Sequence, residues 1–365
     1  MTELPLILPP ADPRQRLKAR GAASRPVGRF EPYERLWEPD GWDLPEDEVL
    51  LRTEVSIEHP RSIITRNDSP DVPFDRSINP YRGCEHGCIY CFARPSHGYL
   101  GLSAGLDFET RLVAKPEAPA VLERELRRKG YKVAPIGIGT STDPYQPIEA
   151  KMGVMRGVLE VLDAFNHPVT ITTRGAGVLR DLDLIAAMAE RGLVHVGISL
   201  TTLDEELARK MEPRAPAPRT RLRMIRELAR AGVPVRVMAA PIIPGLTDHA
   251  LEAILTEARR AGAQAAAMIP LRLPDEVAPL FADWLQRHYP ARAGRVLNAI
   301  AAFRGGRLND PRFGSRMTGE GTEAELLAQR YALSCRRLGL DRPLPALDVT
   351  RFAPPPRAGD QLELF

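Results

Sequence analysis

The sequence predicts an α/β fold, a partial (β/α)6 barrel open on one side, set between an N-terminal extension and a C-terminal helical segment. Short apolar runs alternate with helical patterns from Ser77 to about Pro274, and six such runs can be counted. The connections are short, and parallel strands joined through helices need right-handed crossovers, so the runs form a parallel sheet. After about Pro274 the strand pattern stops. A flat doubly wound sheet has the same alternation and stays open as the second arrangement.

Taken in order, residues 1–70 are rich in proline and charge, with an arginine-rich stretch from Arg14 to Arg29 and an acidic one from Glu38 to Glu48. They have little periodicity, so they are expected to form a partly ordered extension wrapped on the core, or a flexible leader. In residues 71–275, strands are expected at 77–79, 133–139, 169–173, 194–200, 233–240 and 265–271. Helices are expected between them at 119–129, 151–164, 179–191, 220–231 and 249–261. Residues 276–349 read as helices and loops, and residues 350–365 as a Pro-rich, flexible tail.

Composition bounds the function. A chain of 365 residues with 44% hydrophobic and 27% charged content is globular, neither fibrous nor wholly disordered. No apolar run approaches the roughly 18 residues that span a bilayer, and Met1-Thr2-Glu3-Leu4-Pro5 does not open a signal peptide, so a cytoplasmic protein with no membrane partner is expected. Only four cysteines occur and three of them fall within eight residues, which suits metal ligation better than a disulfide framework. A net charge of +3 does not by itself point to an anionic partner.

The segment Cys84-Glu85-His86-Gly87-Cys88-Ile89-Tyr90-Cys91 places its cysteines at C-x3-C-x2-C spacing directly after the first strand. Three thiolates on one short loop can bind three irons of a 4Fe-4S cube and leave the fourth iron open to a substrate. Gly83 and Gly87 let the loop curl without Cβ clashes. The alternative is zinc, with His86 or a distant residue as fourth ligand. Zinc usually takes two separated pairs of ligands, however, and the one other cysteine is Cys335.

With Tyr90 as the aromatic residue before the third cysteine, the segment resembles the signature of the radical S-adenosylmethionine (SAM) superfamily, and the resemblance spans about Asp75 to Leu273. It implies a partial (β/α)6 radical SAM barrel with Cys84, Cys88 and Cys91 as metal ligands. Its cofactors would be a 4Fe-4S cluster and S-adenosyl-L-methionine, cleaved reductively to a 5′-deoxyadenosyl radical, with a reductant such as flavodoxin or ferredoxin. It also places SAM along the C-terminal edges of the strands. There Thr140, Ser141 and Thr142 would accept hydrogen bonds from its ammonium group, and Asp143 would supply charge. Arg174 would clamp the carboxylate, Ser199 would bond the ribose, and the loop from Pro241 to Asp248 would meet the adenine. Each has a plainer alternative: a Pro-rich turn for 140–147, a capping serine for Ser199, a turn and N-cap for 241–248.

Within the superfamily the stretches Thr142-Asp143-Pro144-Tyr145-Gln146-Pro147 and Met211-Glu212-Pro213-Arg214 resemble the spore photoproduct lyase-like branch, which implies a lyase-like enzyme acting on DNA in lesion repair. No cysteine lies between Cys91 and Cys335, so the cysteine that relays the radical in that lyase has no counterpart in the core. Modification of a protein, an RNA or a small molecule stays open, as does a non-catalytic iron-sulfur adaptor.

Two segments suggest partners. Residues 287–316 carry Arg287, Arg292, Arg295, Arg304, Arg307, Arg312 and Arg316 against one acid, Asp310, which fits a nucleic-acid contact or, equally, solvated helix faces. Gln361, Leu362, Leu364 and Phe365 resemble the terminal peptide with which bacterial replication and repair proteins dock on the DNA polymerase sliding clamp. A tail folded back on the core is its alternative.

Overall fold

The structure is a computed structural model that describes residues 20–26, 29–30 and 52–357. The acidic stretch, half of the arginine-rich stretch and the Gln361–Phe365 peptide lie outside the described residues.

Among the described residues ten strands occur in chain order: β1 (Glu54–Ile57), β2 (Ile64–Arg66), β3 (Arg76–Ile78), β4 (Tyr81–Arg82), β5 (Arg111–Ala114), β6 (Ile136–Ile138), β7 (Val169–Thr173), β8 (Val194–Ser199), β9 (Val235–Ile242) and β10 (Ala265–Pro270). The main sheet has the order β10-β9-β8-β7-β6-β3-β2. Every pair from β3 through β10 is parallel, and β2 adds antiparallel to β3. Strands β3, β6, β7, β8, β9 and β10 therefore neighbour one another in strict chain order. A doubly wound sheet reverses its order at a switch point; here there is no reversal, and crossovers of one hand keep the helices on one face. The chain is thus a partial (β/α)6 barrel.

Physical chemistry explains the core strands. The inward residues Val169, Ile171, Val194, Val196, Ile198, Val235 and Val237 are fully buried, as the middle strands of a helix-covered parallel sheet require. The connecting helices Ala118–Leu126, Val154–Ala164, Leu182–Glu190, Pro218–Arg230 and Leu251–Ala261 lie within a few residues of the expected spans. The helix expected at 151–164 is broken at Gly153, whose φ of +64° ends a short turn and starts the main helix.

Several elements were not legible. β1, β5 and β4 form a separate small sheet, β1 beside β5 in parallel and β4 antiparallel to β5. β1 is exposed along its length, so the polar–apolar alternation of Glu54-Val55-Ser56-Ile57 marks no buried face. Residues 20–26, in the extension, are tied down: the amides of Gly21 and Ala22 each donate to the buried Glu109 carboxylate at 2.9 Å. The tail expected to be flexible from Thr350 is packed at Phe352, which lies 5.5 Å from the Tyr131 ring and 5.6 Å from the His167 ring.

Past β10, helices Val277–His288 and Pro290–Ala302 pair through Phe281, Trp284 and Val296, and helix Thr322–Leu338 packs on helix Leu251–Ala261. Among the described residues, no helix is long and apolar enough to cross a membrane.

Candidate functional site

The cysteine loop follows β3 and opens onto a cavity of about 540 Å³ at the C-terminal edge of the parallel strands. Cys84, Cys88 and Cys91 line it, together with Tyr90, Thr140, Ser141, Thr142, Asp143, Arg174 and Ser199. All ten residues expected at the site are therefore brought to one chamber.

Glycine and backbone hydrogen bonds set the loop. Gly83 and Gly87 have φ of +75° and +66°, and a Cβ on Gly83 would come within 2.7 Å of Leu112. Amide donation from Cys84 to the Phe108 carbonyl (2.9 Å), Cys91 to Cys88 (3.2 Å) and Arg94 to Cys91 (3.2 Å) winds the segment. Fully buried Arg94 then gathers it, donating to the carbonyls of Cys88 (2.9 Å), Gly87 (3.2 Å), Ala104 (3.1 Å) and Gly105 (3.0 Å) and to Glu109 Oε1 (2.6 Å). One guanidinium with five donors satisfies a turn whose carbonyls would otherwise be buried and unpaired.

The two stretches that carry the finer resemblance both hold this loop. The side chain of Gln146 accepts from the Glu85 amide at 2.8 Å and donates to the Gly83 carbonyl at 3.2 Å. On the other side the Ile89 amide donates to the Met211 carbonyl (3.0 Å), the Arg214 amide donates to the His86 carbonyl (3.3 Å), and Arg214 pairs with Glu85 (3.1 Å).

Sequence reasoning did not select Glu212 as a site residue. Its carboxylate, fully buried, accepts from Arg221, from the Tyr90 hydroxyl, from Arg174 Nη1 (3.1 Å) and from Thr201 Oγ1 (3.1 Å). Burial alone would raise its pKa, but the Arg221 and Arg174 guanidiniums outweigh burial and hold it at about 2. The one available signal was its place in the Met211–Arg214 stretch.

Two expected SAM contacts already have partners within the fold. Asp143, expected to offer charge to an ammonium, is already engaged: it accepts from Thr173 Oγ1 (2.6 Å), the Arg174 amide (2.8 Å) and the Tyr145 amide (2.9 Å), and His86 Nδ1 lies 3.4 Å away. Burial opposes its ionisation, yet His86 and these donors hold its pKa at about 2. It ties the loops after β6 and β7 together. Arg174 Nη1 faces Cys88 Sγ (2.7 Å), the Tyr90 hydroxyl (3.0 Å) and Glu212. Its Nε and Nη2 have no acceptor among the described residues and remain available. The Thr142 hydroxyl donates to the Tyr81 carbonyl (3.0 Å), while Ser141 is exposed.

The donor set suits a metal with an affinity for sulfur. Burial raises the Cys84 thiol well above its ordinary pKa and Cys88 to about 12, so a cation is needed for them to ionise, and Arg174 stands beside Cys88 to offset part of the charge. Among the described residues, no three His, Cys, Asp or Glu side chains gather around one point as a single ion requires. A 4Fe-4S cube would give each thiolate its own iron, whereas zinc would need a fourth ligand besides the three thiolates.

One arginine expected at a nucleic-acid surface is corrected. Arg304 is 3% exposed, and its guanidinium donates to the carbonyls of Pro270 (2.7 Å), Ser315 (2.8 Å), Arg316 (2.9 Å) and Leu271 (3.3 Å). It braces the turn after β10 and has no face for a phosphate. Arg287 pairs with Asp283, Arg312 with Asp310 and Glu320, and Arg316 with Asp71. Arg292, Arg295 and Arg307 are exposed and have no acidic partner among the described residues.

Comparison with known proteins agrees with this geometry. Residues 78–258 match the family model described as the Radical SAM superfamily. A Mycobacterium tuberculosis protein described as uncharacterized is 40% identical over 226 residues, covering 61% of this chain and 66%, just under two thirds, of the relative. A Methanocaldococcus jannaschii protein, likewise described as uncharacterized, is 27% identical over 172 residues, 47% of this chain and 61% of the relative. Among solved structures, spore photoproduct lyase complexed with dinucleoside spore photoproduct superposes with a TM-score of 0.56 at 16% identity, over 78% of this chain and 79% of that one. At that identity the likeness speaks for the fold alone.

Proposed function

From the premise that residues 78–258 of this chain are a radical SAM superfamily domain, we propose that the protein is an enzyme that holds a 4Fe-4S cluster on Cys84, Cys88 and Cys91 and cleaves SAM reductively. The observation that carries this is the placement of three buried or half-buried thiols along one wall of a cavity whose other walls are the C-terminal ends of parallel strands. When bound, the cluster supplies the electron that breaks a carbon–sulfur bond of SAM. The chain's own residues do the positioning. Gln146, Arg94 and the Met211–Arg214 stretch fix the loop before any ligand arrives, so little ordering entropy is lost on binding. Arg174 links Cys88 to Glu212 through Nη1, and its free Nε and Nη2 suit the SAM carboxylate. Thr140, Ser141 and Ser199 supply hydroxyls at the strand edges, and the buried side chains around Tyr90 exclude water.

We extend the reading to DNA lesion repair, because spore photoproduct lyase, solved with a dinucleoside lesion, shares the fold. A cysteine relay is not carried over: Cys335 is buried in helix Thr322–Leu338, outside the cavity wall.

Anaerobic reconstitution tests the proposal. About four irons and four sulfides per chain are expected, and 5′-deoxyadenosine should form from SAM and dithionite. Cys84→Ala, Cys88→Ala and Cys91→Ala should each lose iron, while Cys335→Ala keeps it. A chain that retains one zinc and refuses iron would sink the assignment.

A further inference from the structure

The open side of the barrel lies between the edges of β2 and β10, and Asp71 bridges it. Its carboxylate accepts from the Gly314 amide at 2.7 Å and from Arg316, whose Nη2 also donates to Ser69 Oγ at 2.6 Å. Asp71 is thereby committed to Arg316. Arg272, two residues past β10, is left lining the cavity, half-buried, with no hydrogen-bond acceptor among the described residues. Burial and the nearby Arg316 push its pKa down, and Asp71 alone opposes them. A guanidinium with five donors, partly withdrawn from water and facing a second cation, lacks an anion.

The surroundings indicate which anion. The Arg272 guanidinium sits 5.4 Å from the ring centroid of Phe92, the residue after Cys91, and Phe92 is 51% exposed. Arg316 sits 4.5 Å from the ring of Phe313, which is 55% exposed. Two large rings left in water, each beside a cation at the same opening, match the alternation of planar bases and phosphates along a nucleic-acid strand. An acidic peptide would use the cations and leave the rings idle. A cavity of about 540 Å³ is sized for a cofactor-like ligand, so a polymer must lie along the mouth.

We propose that the open side of the barrel is a docking edge for single-stranded DNA, with Arg272 holding a phosphate and Phe92 and Phe313 stacking bases. The proposal rests on the reading of the cavity as the reaction chamber, and it names a recognition site distinct from the cysteine loop and its supports.

The test is fluorescence anisotropy on the reconstituted full-length protein with a labelled short oligothymidylate and, as competitor, a polyglutamate peptide of equal charge. Wild type should bind the oligonucleotide with salt-sensitive affinity. Arg272→Gln should weaken it about tenfold and lower the log–log salt slope by about 0.7, one single-strand phosphate contact. Arg272→Lys should restore the slope. Phe92→Ala should weaken binding at least about fivefold with the slope unchanged. Unchanged affinity in both Arg272→Gln and Phe92→Ala, or polyglutamate competing as well as unlabelled oligonucleotide, overturns the proposal. So does a parallel loss of SAM affinity in Arg272→Gln, which would assign the arginine to SAM. Wild-type SAM cleavage, measured separately, tells a failed docking edge from a failed enzyme assignment.

Discussion

Replacing Glu212 by Gln should destabilise the whole fold and loosen the cysteine loop in particular. Glutamine keeps the shape but removes the charge, leaving the Arg221 guanidinium, with its side chain 1% exposed, against a neutral amide. Breaking a buried pair of this kind costs about 3–5 kcal/mol, because the remaining charge is stranded away from water. At about 2 °C per kcal/mol for a chain of this size, the melting temperature should fall by about 6–10 °C. Arg221→Met removes the stranded partner, so the double variant should lose far less than the sum of the singles, with a coupling of at least about 2 kcal/mol. Thermal and urea unfolding of the metal-free protein measure this. The local consequence is faster amide exchange at Ile89, whose donation to the Met211 carbonyl depends on the residue next to it in the chain. If Glu212→Gln melts within about 1 °C of wild type and Ile89 exchanges at its old rate, the carboxylate does not hold this site together.

Two further outcomes follow from groups away from the cysteine loop. Burial lowers the pKa of His167 to about 4, and the neutral ring bridges the Tyr131 hydroxyl (2.8 Å) and the Pro168 carbonyl (2.9 Å). Its folded pKa is below the unfolded value of about 6.5, so the unfolded chain takes up the proton first. This stability is fully present above about pH 6.5 and is lost as pH falls to about 4, up to about 3 kcal/mol in all. His167→Gln should remove that component from the acid limb of a melting-temperature profile; parallel profiles would refute it. Arg304→Gln should lower the melting temperature and leave the salt slope of DNA binding untouched, since the side chain is buried and its Nη1 and Nη2 donate to carbonyls. A changed slope without a stability loss would return Arg304 to the surface.

What could be read from the sequence was what local geometry constrains. The cysteine spacing, Gly83 and Gly87 and the alternation of β7 through β10 with their helices each follow from a few consecutive residues, and the parallel sheet with the cysteine loop at its strand ends followed from them. Strict strand order, which decides between a barrel and a doubly wound sheet, is a property of pairing and was not in the pattern. Nor was the small sheet, because the exposed β1 has no buried face to mark it and finds its partner β5 more than fifty residues later.

The charged residues illustrate the limit best. A segment count of residues 287–316 shows seven arginines and one acid and suggests an unneutralised surface. In the fold, Arg316 meets Asp71 from across the open side of the barrel, Arg287 meets Asp283 just outside the window, and Arg304 donates to a set of carbonyls and to no carboxylate among the described residues. Arg272 lies outside that window. It lines the cavity without a hydrogen-bond acceptor among the described residues, because Asp71, the acid that acts on it, is already taken by Arg316. Neutralisation is therefore decided by pairs far apart in the chain, and an arginine's freedom to bind a ligand depends on which distant carboxylate reached its neighbour first. The same reasoning applies to Glu212, an acid among basic residues in sequence and the shared acceptor for Arg174, Arg221 and Tyr90 in space. The finer motifs around Gln146 and Glu212 thus make physical sense as supports of the cysteine loop, whatever the substrate is, while substrate choice falls to groups at the mouth, such as Arg272 and Phe92, that the loop does not need.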